Sequence, residues 1–215
     1  MRKREPMLKR IVLLLWARVV WLPDFYRKYR FFLEAKLASQ DVRLGSRIIW
    51  NVPTRIAMLT AGSIQIGDGC VLGCRAAPRL GDGGILIQPR CRNAAISIGK
   101  GTMISNNVSI IAMKSVEIGK NCQVGDLVSV FDCDFHEIDP ATRNRSCGEI
   151  RPVSIGNNVW LGSRAMVLKG VTIGDNSVVA AMSVVIKSLP ANCIAAGNPA
   201  RIIRTLGPKR QREIK

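Results

Sequence analysis

The sequence predicts an all-β solenoid of short stacked strands, entered through a basic helical segment and left through a short basic tail. Three observations predict it. Aliphatic residues recur every sixth position over long stretches between Ile66 and Val185. That period is neither the helical 3.6 nor the strand period of 2, and it fits short flat strands joined by tight corners with one inward aliphatic per unit. Aromatic residues make up 5% of the chain against 47% hydrophobic residues, with 19 glycines, so the core has to be built from small and branched aliphatics. The rhythm also breaks, over residues 131–152, around His136, the only histidine of the 215 residues.

Residues 1–50 read as a basic amphipathic helical segment. Residues 1–48 hold twelve Lys/Arg and four Asp/Glu, so +8 of the total +17. The apolar run IVLLLWARVVWL (residues 11–22) is interrupted by Arg18 and falls short of the roughly 20 residues a spanning helix needs. No small-residue cleavage motif follows it, which argues against a signal peptide. Basic flanks and interleaved Trp16, Trp21, Phe25, Tyr26 and Tyr29 allow two readings. Residues 1–30 lie on an anionic membrane surface as an interfacial helix, or the helix packs on the solenoid. Pro23, Gly45 and Pro53 suggest a helix, a turn and an irregular lead into the first coil.

Residues 51–206 form the repeat domain, with residues 131–152 extruded as a loop. A weak register starts at Ile66-Gly67 and Leu72-Gly73. It strengthens at Ile98, Ile104 and Ile110, and again at Ile118, Val124 and Val130. The longest run is Ile155, Leu161, Val167, Ile173, Val179 and Val185. Glycine after the aliphatic suits a corner where a side chain would clash or φ must be positive. Residues 207–215 are a basic tail. Residues 201–215 carry +5, which leaves +4 for the body of the chain.

So basic a chain favours acidic partners. No helix-turn-helix, zinc finger or RNA-stacking signature is present, so nucleic acid is not expected. Cys70, Cys74, Cys91, Cys122, Cys133, Cys147 and Cys193 are odd in number and follow no disulfide framework, so they read as reduced core thiols of a cytosolic protein. One histidine and no CxxC pair argue against a metal site.

The [LIV]-G-x-x-x-x unit and the run SIGNNVWLGSRAMVLKGVTIGDNSVVAAMSVVIKSLPANCIAAGNPARIIR (residues 154–204) resemble the hexapeptide repeat of left-handed parallel β-helix acyltransferases. The similarity is to their sugar O-acetyltransferase branch, which includes galactoside, maltose, colanic-acid and lipopolysaccharide O-acetyltransferases. It covers roughly residues 60–206 and is strongest over 153–206. The left hand is implied by the resemblance alone, because parallel crossovers are normally right-handed.

The resemblance implies an acetyl-CoA-dependent enzyme without a metal, working as a homotrimer. His136 takes the position of the general base. A neutral imidazole can accept the proton of a sugar hydroxyl as its oxygen attacks the thioester. The backbone N–H of Ser163 takes the place of the oxyanion donor. Asp134, Glu137, Asp139, Glu149 or a backbone carbonyl could orient the ring. Relatives bind the acceptor through an Asn on the coil of Asn106 and Asn107, although counting back from Ile118 places it nearest Ser105. Asn there also suits a corner, since it tolerates left-handed φ. Glu149 matches a "GE" before the next coil, or is a solvated loop carboxylate. Coenzyme A contacts carry over to Ser163, Ala181, Lys187, Arg201 and Arg204, the two arginines projecting from the turn after Pro199. Ile186 and Met182 depart from the pattern, where relatives have Thr and Gly.

The basic N-terminal segment points to a glycan or lipid-linked sugar acceptor of surface polysaccharide or lipopolysaccharide synthesis. The protein is then cytoplasmic, with peripheral contact at the inner membrane face. A small-molecule acceptor (a xenobiotic or free sugar) and a non-catalytic β-helix scaffold are the alternatives. Carbonic anhydrases of the same fold need three histidines, which this chain lacks.

Overall fold

Each aliphatic of the six-step register points inward. From Ile98 to Val130 and from Ile155 to Val185, every one is at most 3% exposed. The computed structural model describes residues 26–37, 40–56, 62–78 and 80–207. The apolar run 11–22, most of the 1–30 segment and the tail beyond Gly207 lie outside the described residues.

Three strands make a coil. The first coil is β1 (Asp41–Leu44), β2 (Ile49–Trp50) and β3 (Thr54–Arg55), and the second is β4 (Ser63–Ile66), β5 (Val71–Leu72) and β6 (Ile85–Pro89). Then come β7 (Ala95–Ile98), β8 (Met103–Ile104), β9 (Ser109–Ala112), followed by β10 (Ser115–Ile118), β11 (Gln123–Val124), β12 (Ser129–Phe131). The fifth coil is β13 (Val153–Ile155), β14 (Trp160–Leu161) and β15 (Met166–Val167). The sixth is β16 (Thr172–Ile173), β17 (Val178–Val179) and β18 (Val184–Val185), before a final pair, β19 (Cys193–Gly197) and β20 (Ala200–Thr205). Successive coils stack in register as three parallel sheets. Face A is β1-β4-β7-β10-β13-β16, face B is β2-β5-β8-β11-β14-β17-β19-β20, and face C is β3-β6-β9-β12-β15-β18. On face A the pairing aligns Ile66, Ile98, Ile118, Ile155 and Ile173 into one column. The core is therefore a file of identical positions, which explains why it is legible as a period.

The glycine after each aliphatic is required by close approach. A Cβ on Gly119 would stand 2.4 Å from the Gly156 carbonyl oxygen, and one on Gly162 would stand 2.5 Å from the Ala181 nitrogen. The positive φ falls two residues later, at Asn121, Asn158, Asn176 and Asn192 on the A–B corner, with φ of 54–60°. Those asparagines bond along the axis, Asn158 Nδ2 to Asn176 Oδ1 at 2.9 Å and Asn176 Nδ2 to Asn192 Oδ1 at 3.0 Å.

Thiols serve the same corner. Cys70 Sγ donates to the Gly99 carbonyl at 3.2 Å and Cys122 Sγ to that of Gly156 at 3.1 Å, as the Thr102 hydroxyl does to that of Gly119 at 2.7 Å. All seven cysteines are free, but Cys74 is exposed and Cys91 and Cys147 are half-buried. The expectation of core thiols therefore holds for Cys70, Cys122, Cys133 and Cys193 only.

The ends depart from the sequence expectation. Of the segment 1–50, residues 26–37 (α1) are helical, while residues 41–50 already contain β1 and β2. The solenoid thus starts at Asp41 rather than at 51. Val42 and Leu44 are only half-buried, so β1 lacks the fully inward aliphatics that mark later coils. Helix α1 supplies buried Phe31 and Ala35 to the core, with Phe31 5.1 Å from the Trp50 ring. Its Glu34 accepts the Ile56 N–H at 2.9 Å. At the other end β20 runs antiparallel to β19. Arg201 and Arg204 therefore lie on a strand, not on a turn as the sequence suggested. No helix among the described residues is long and apolar enough to cross a membrane.

Candidate active site

The loop departs after β12 on face C and returns at β13 on face A, so it stands on the C–A corner. Its root is Asp132, which is fully buried. Asp132 Oδ1 accepts the Met113 N–H at 2.7 Å, and Oδ2 accepts those of Lys114 and Ser115 at 2.7 and 2.8 Å. Beyond it the two arms pair antiparallel at Cys133 and Ile150. Burial pushes the Cys133 thiol up to about 11, so it stays protonated and inert. Lys169, from the next coil, ties the arms together. Its Nζ contacts Asp134 at 2.5 Å and Glu149 at 3.5 Å.

His136 is exposed, and its imidazole has no hydrogen-bond partner among the described residues. Its backbone is fixed on both sides. Phe135 holds φ of +66°, a conformation costing an L-residue roughly 1–2 kcal/mol. Packing holds it there: the Phe131 ring lies edge-on at 5.2 Å, and the Arg90 guanidinium sits 4.9 Å from its centroid. Gly148 has φ of +70°, and a Cβ there would stand 2.3 Å from the His136 carbonyl oxygen. The Glu137 N–H donates to the Arg143 carbonyl at 3.2 Å. The loop presents a free ring from an anchored backbone. None of the four candidate carboxylates meets that ring. Asp134 is held by Lys169, Glu137 by the Ser146 hydroxyl, and Asp139 by the Ala141 N–H. Glu149 is held by Arg151 at 3.0 Å as well as by Lys169. Glu149 is thereby a tie of the loop rather than an open substrate contact.

A second group lies on the B–C corner. Ser163 follows β14, and Ala181 follows β17 one coil further on. The backbone N–H of each has no partner among the described residues. Two free donors about 4.8 Å apart along the axis suit an extended amide-bearing chain. The Ser163 hydroxyl donates to Asp126 of the preceding coil, a pairing that sequence inspection missed. Met182 occupies its left-handed corner at φ of +60° with an exposed side chain. Lys187 is also exposed, but it follows β18 and so belongs to the C–A corner with the loop. Arg201 and Arg204 are exposed at the far end of face B. One chain therefore does not bring His136 and Ser163 together: the width of face C separates their corners.

The two asparagines differ in role. Asn106 is fully buried. Its Oδ1 accepts the Cys74 N–H at 2.9 Å, and its Nδ2 donates to the carbonyls of Cys74, Ala77 and Pro78 at 2.9–3.2 Å. It fastens a second extrusion, between β5 and β6, and is corrected here from an acceptor contact to a structural pin. Asn107 takes the corner at φ of +59°. It borders a cleft of about 540 Å³ with Arg30, Glu34, Arg55 and Asp82, whose charges pair Arg30 with Glu34 and Arg55 with Asp82. Ser105 borders a different groove, of about 510 Å³, with Met103, Gln123, Trp160 and Arg75. Trp160 is 54% exposed beside buried Leu161, and its outward phase in Val159-Trp160-Leu161 was the available signal.

Substituting Asn106→Ala is expected to lower stability by roughly 2 kcal/mol, because the second extrusion loses its pin. A shift of the urea midpoint reads this. An Asn106 that contacted the acceptor would instead raise KM and leave the midpoint in place.

The pattern described as bacterial transferase hexapeptide (six repeats) matches residues 152–187. Galactoside O-acetyltransferase of Escherichia coli K12 is 38% identical over 114 residues, 53% of this chain and 56% of that protein. A solved galactoside acetyltransferase in complex with coenzyme A aligns with 52% of this chain and 56% of its own, at 38% identity and a TM-score of 0.50. A hexapeptide-repeat-containing acetyltransferase of Vibrio cholerae aligns with 85% of this chain and 82% of its own, at 26% identity and a TM-score of 0.56. That protein is also solved in complex with acetyl coenzyme A. The chain spans little more than half the length of curated relatives that it matches. With its buried six-step column, three parallel faces and extruded loop on the C–A corner, the chain is similar to the hexapeptide-repeat acetyltransferases, whose fold is the left-handed parallel β-helix.

Proposed function

We propose that this chain is an acetyl-CoA-dependent O-acetyltransferase acting, as a cytoplasmic homotrimer, on a sugar hydroxyl of a glycan or lipid-linked oligosaccharide. One observation carries the reading. The only histidine is held by the backbone near the root of an anchored loop, with its imidazole free. The imidazole takes the acceptor's proton as the hydroxyl oxygen attacks the thioester carbonyl. The resulting oxyanion receives the Ser163 N–H. Collapse expels the thiolate of coenzyme A, which recovers the proton from the imidazolium.

The separation of the two corners supports the trimer. Base and oxyanion donor must both come within about 3 Å of one reacting group. Face C lies between them in one chain, on the order of 15 Å at roughly 3.3 Å per residue. A neighbouring copy that sets its B–C corner against this loop brings them together. The free N–H groups of Ser163 and Ala181 then line the pantetheine arm, and Lys187, Arg201 and Arg204 face the phosphates. The groove with Ser105 and Trp160 offers an apolar floor and polar edges to a sugar ring.

The test is thiol release from acetyl-CoA against free sugars, lipid-linked oligosaccharides and chloramphenicol. Release with a glycan acceptor supports the reading. Release only with the antibiotic overturns the acceptor class, and failure to bind coenzyme A overturns the enzyme.

A further inference from the structure

Helix α1 carries apolar residues on two opposite faces. One arc, Phe31 and Ala35, enters the core. The opposite arc carries Tyr26, Tyr29, Phe32, Leu33 and Leu37, which are 64, 59, 41, 45 and 63% exposed. A surface helix of a soluble protein normally turns polar residues outward. Here the outward polar residues are cations, with Lys36 within the arc and Lys28 on its flank. The chain leading into α1 is the apolar run 11–22 with its basic flanks.

From this arc and its charge we infer that the outer face of α1 docks on the surface of an anionic lipid bilayer. Charge complementarity selects that occupant. Residues 1–48 carry +8, and cations near an anionic bilayer each contribute on the order of 1 kcal/mol. Tyr, Phe and Leu on one arc match the headgroup–acyl boundary. A second copy's α1 would instead bring Lys28 and Lys36 against their own duplicates. The docking has a consequence for the site. On its inner side α1 supplies Arg30 and Glu34 to the cleft that Asn107 borders, so the bilayer lies at the end of the solenoid nearest the second extrusion. A lipid-linked acceptor would reach the site from there. That last step rests on the proposed acetyltransferase reading; the docking itself does not.

The experiment uses the full chain in co-sedimentation with vesicles of phosphatidylcholine alone and of phosphatidylcholine with phosphatidylglycerol. The expected result is binding to the anionic vesicles only, weakened by salt. Replacing Leu33→Ser and Leu37→Ser together should weaken binding by about tenfold or more, since interfacial affinity scales with buried apolar area. Thermal melting and thiol release with a water-soluble acceptor should be unchanged in that variant. Equal binding by wild type and variant would overturn the role of the arc, and binding to neither vesicle would overturn the docking. Dissociation of the oligomer in the variant would assign the arc to a second copy instead. Vesicle binding without thiol release in any condition would sink the acetyltransferase reading while leaving the docking intact.

Discussion

His136→Ala is expected to lower kcat for acetyl transfer by about 10²–10⁴, the usual contribution of a positioned general base. Acetyl-CoA affinity should hold within about twofold, because the backbone donors for the pantetheine arm lie on the other corner. Isothermal titration with coenzyme A and thiol release on the same preparation separate the two quantities. A variant that retains wild-type turnover would remove His136 from the chemistry. The same substitution also tests whether the site lies between copies. Ala181→Trp, on the exposed B–C corner, should block the donor lane and by itself abolish turnover. Co-expressed in equal amounts with His136→Ala, it should restore about a quarter of wild-type activity. In a random three-copy ring each site then has about one chance in four of pairing an intact loop with an intact corner. A site contained within one chain would show no restoration at all.

Asp132→Ala should cost about 3–5 kcal/mol. The carboxylate is buried and accepts three backbone N–H groups, and its removal leaves those donors without their charged acceptor. Urea unfolding measures the loss. Asp132→Asn keeps one acceptor oxygen and should recover part of it. A cost below about 1 kcal/mol would mean that water replaces the carboxylate at the corner. Because Asp132 begins the loop, turnover of the surviving folded fraction should fall too, in contrast to Asn106→Ala.

The parts of this protein that were legible in sequence are those that repeat. Ile155, Leu161 and Val167 announce three faces of one coil because each fills an equivalent place. The loop was visible as a gap in that repetition, and His136 as its only unusual residue. What could not be read depends on register between distant segments. Lys169 reaches Asp134 across 35 residues, and Ser163 reaches Asp126 across 37. Neither pairing has a local signature. Asn106 misled for the same reason, since its partners at Cys74, Ala77 and Pro78 lie in an insertion that the six-step count passes over. The glycines were placed correctly but for two possible reasons, and only the distance between coils separates them. Arg201 and Arg204 were read as a turn because Gly197 and Pro199 precede them, yet the chain turns earlier and continues as a strand.

A stack of parallel coils is in principle an open polymer, because each new layer leaves a fresh row of unsatisfied amides and carbonyls for the next. In this chain the final strand reverses direction. β20 pairs antiparallel with β19 from Cys193 to Thr205, with Arg201 and Arg204 on the strand that would otherwise template a further layer. The reversal caps one of the three faces. On face B it occupies the edge that β19 would otherwise offer to a further parallel strand.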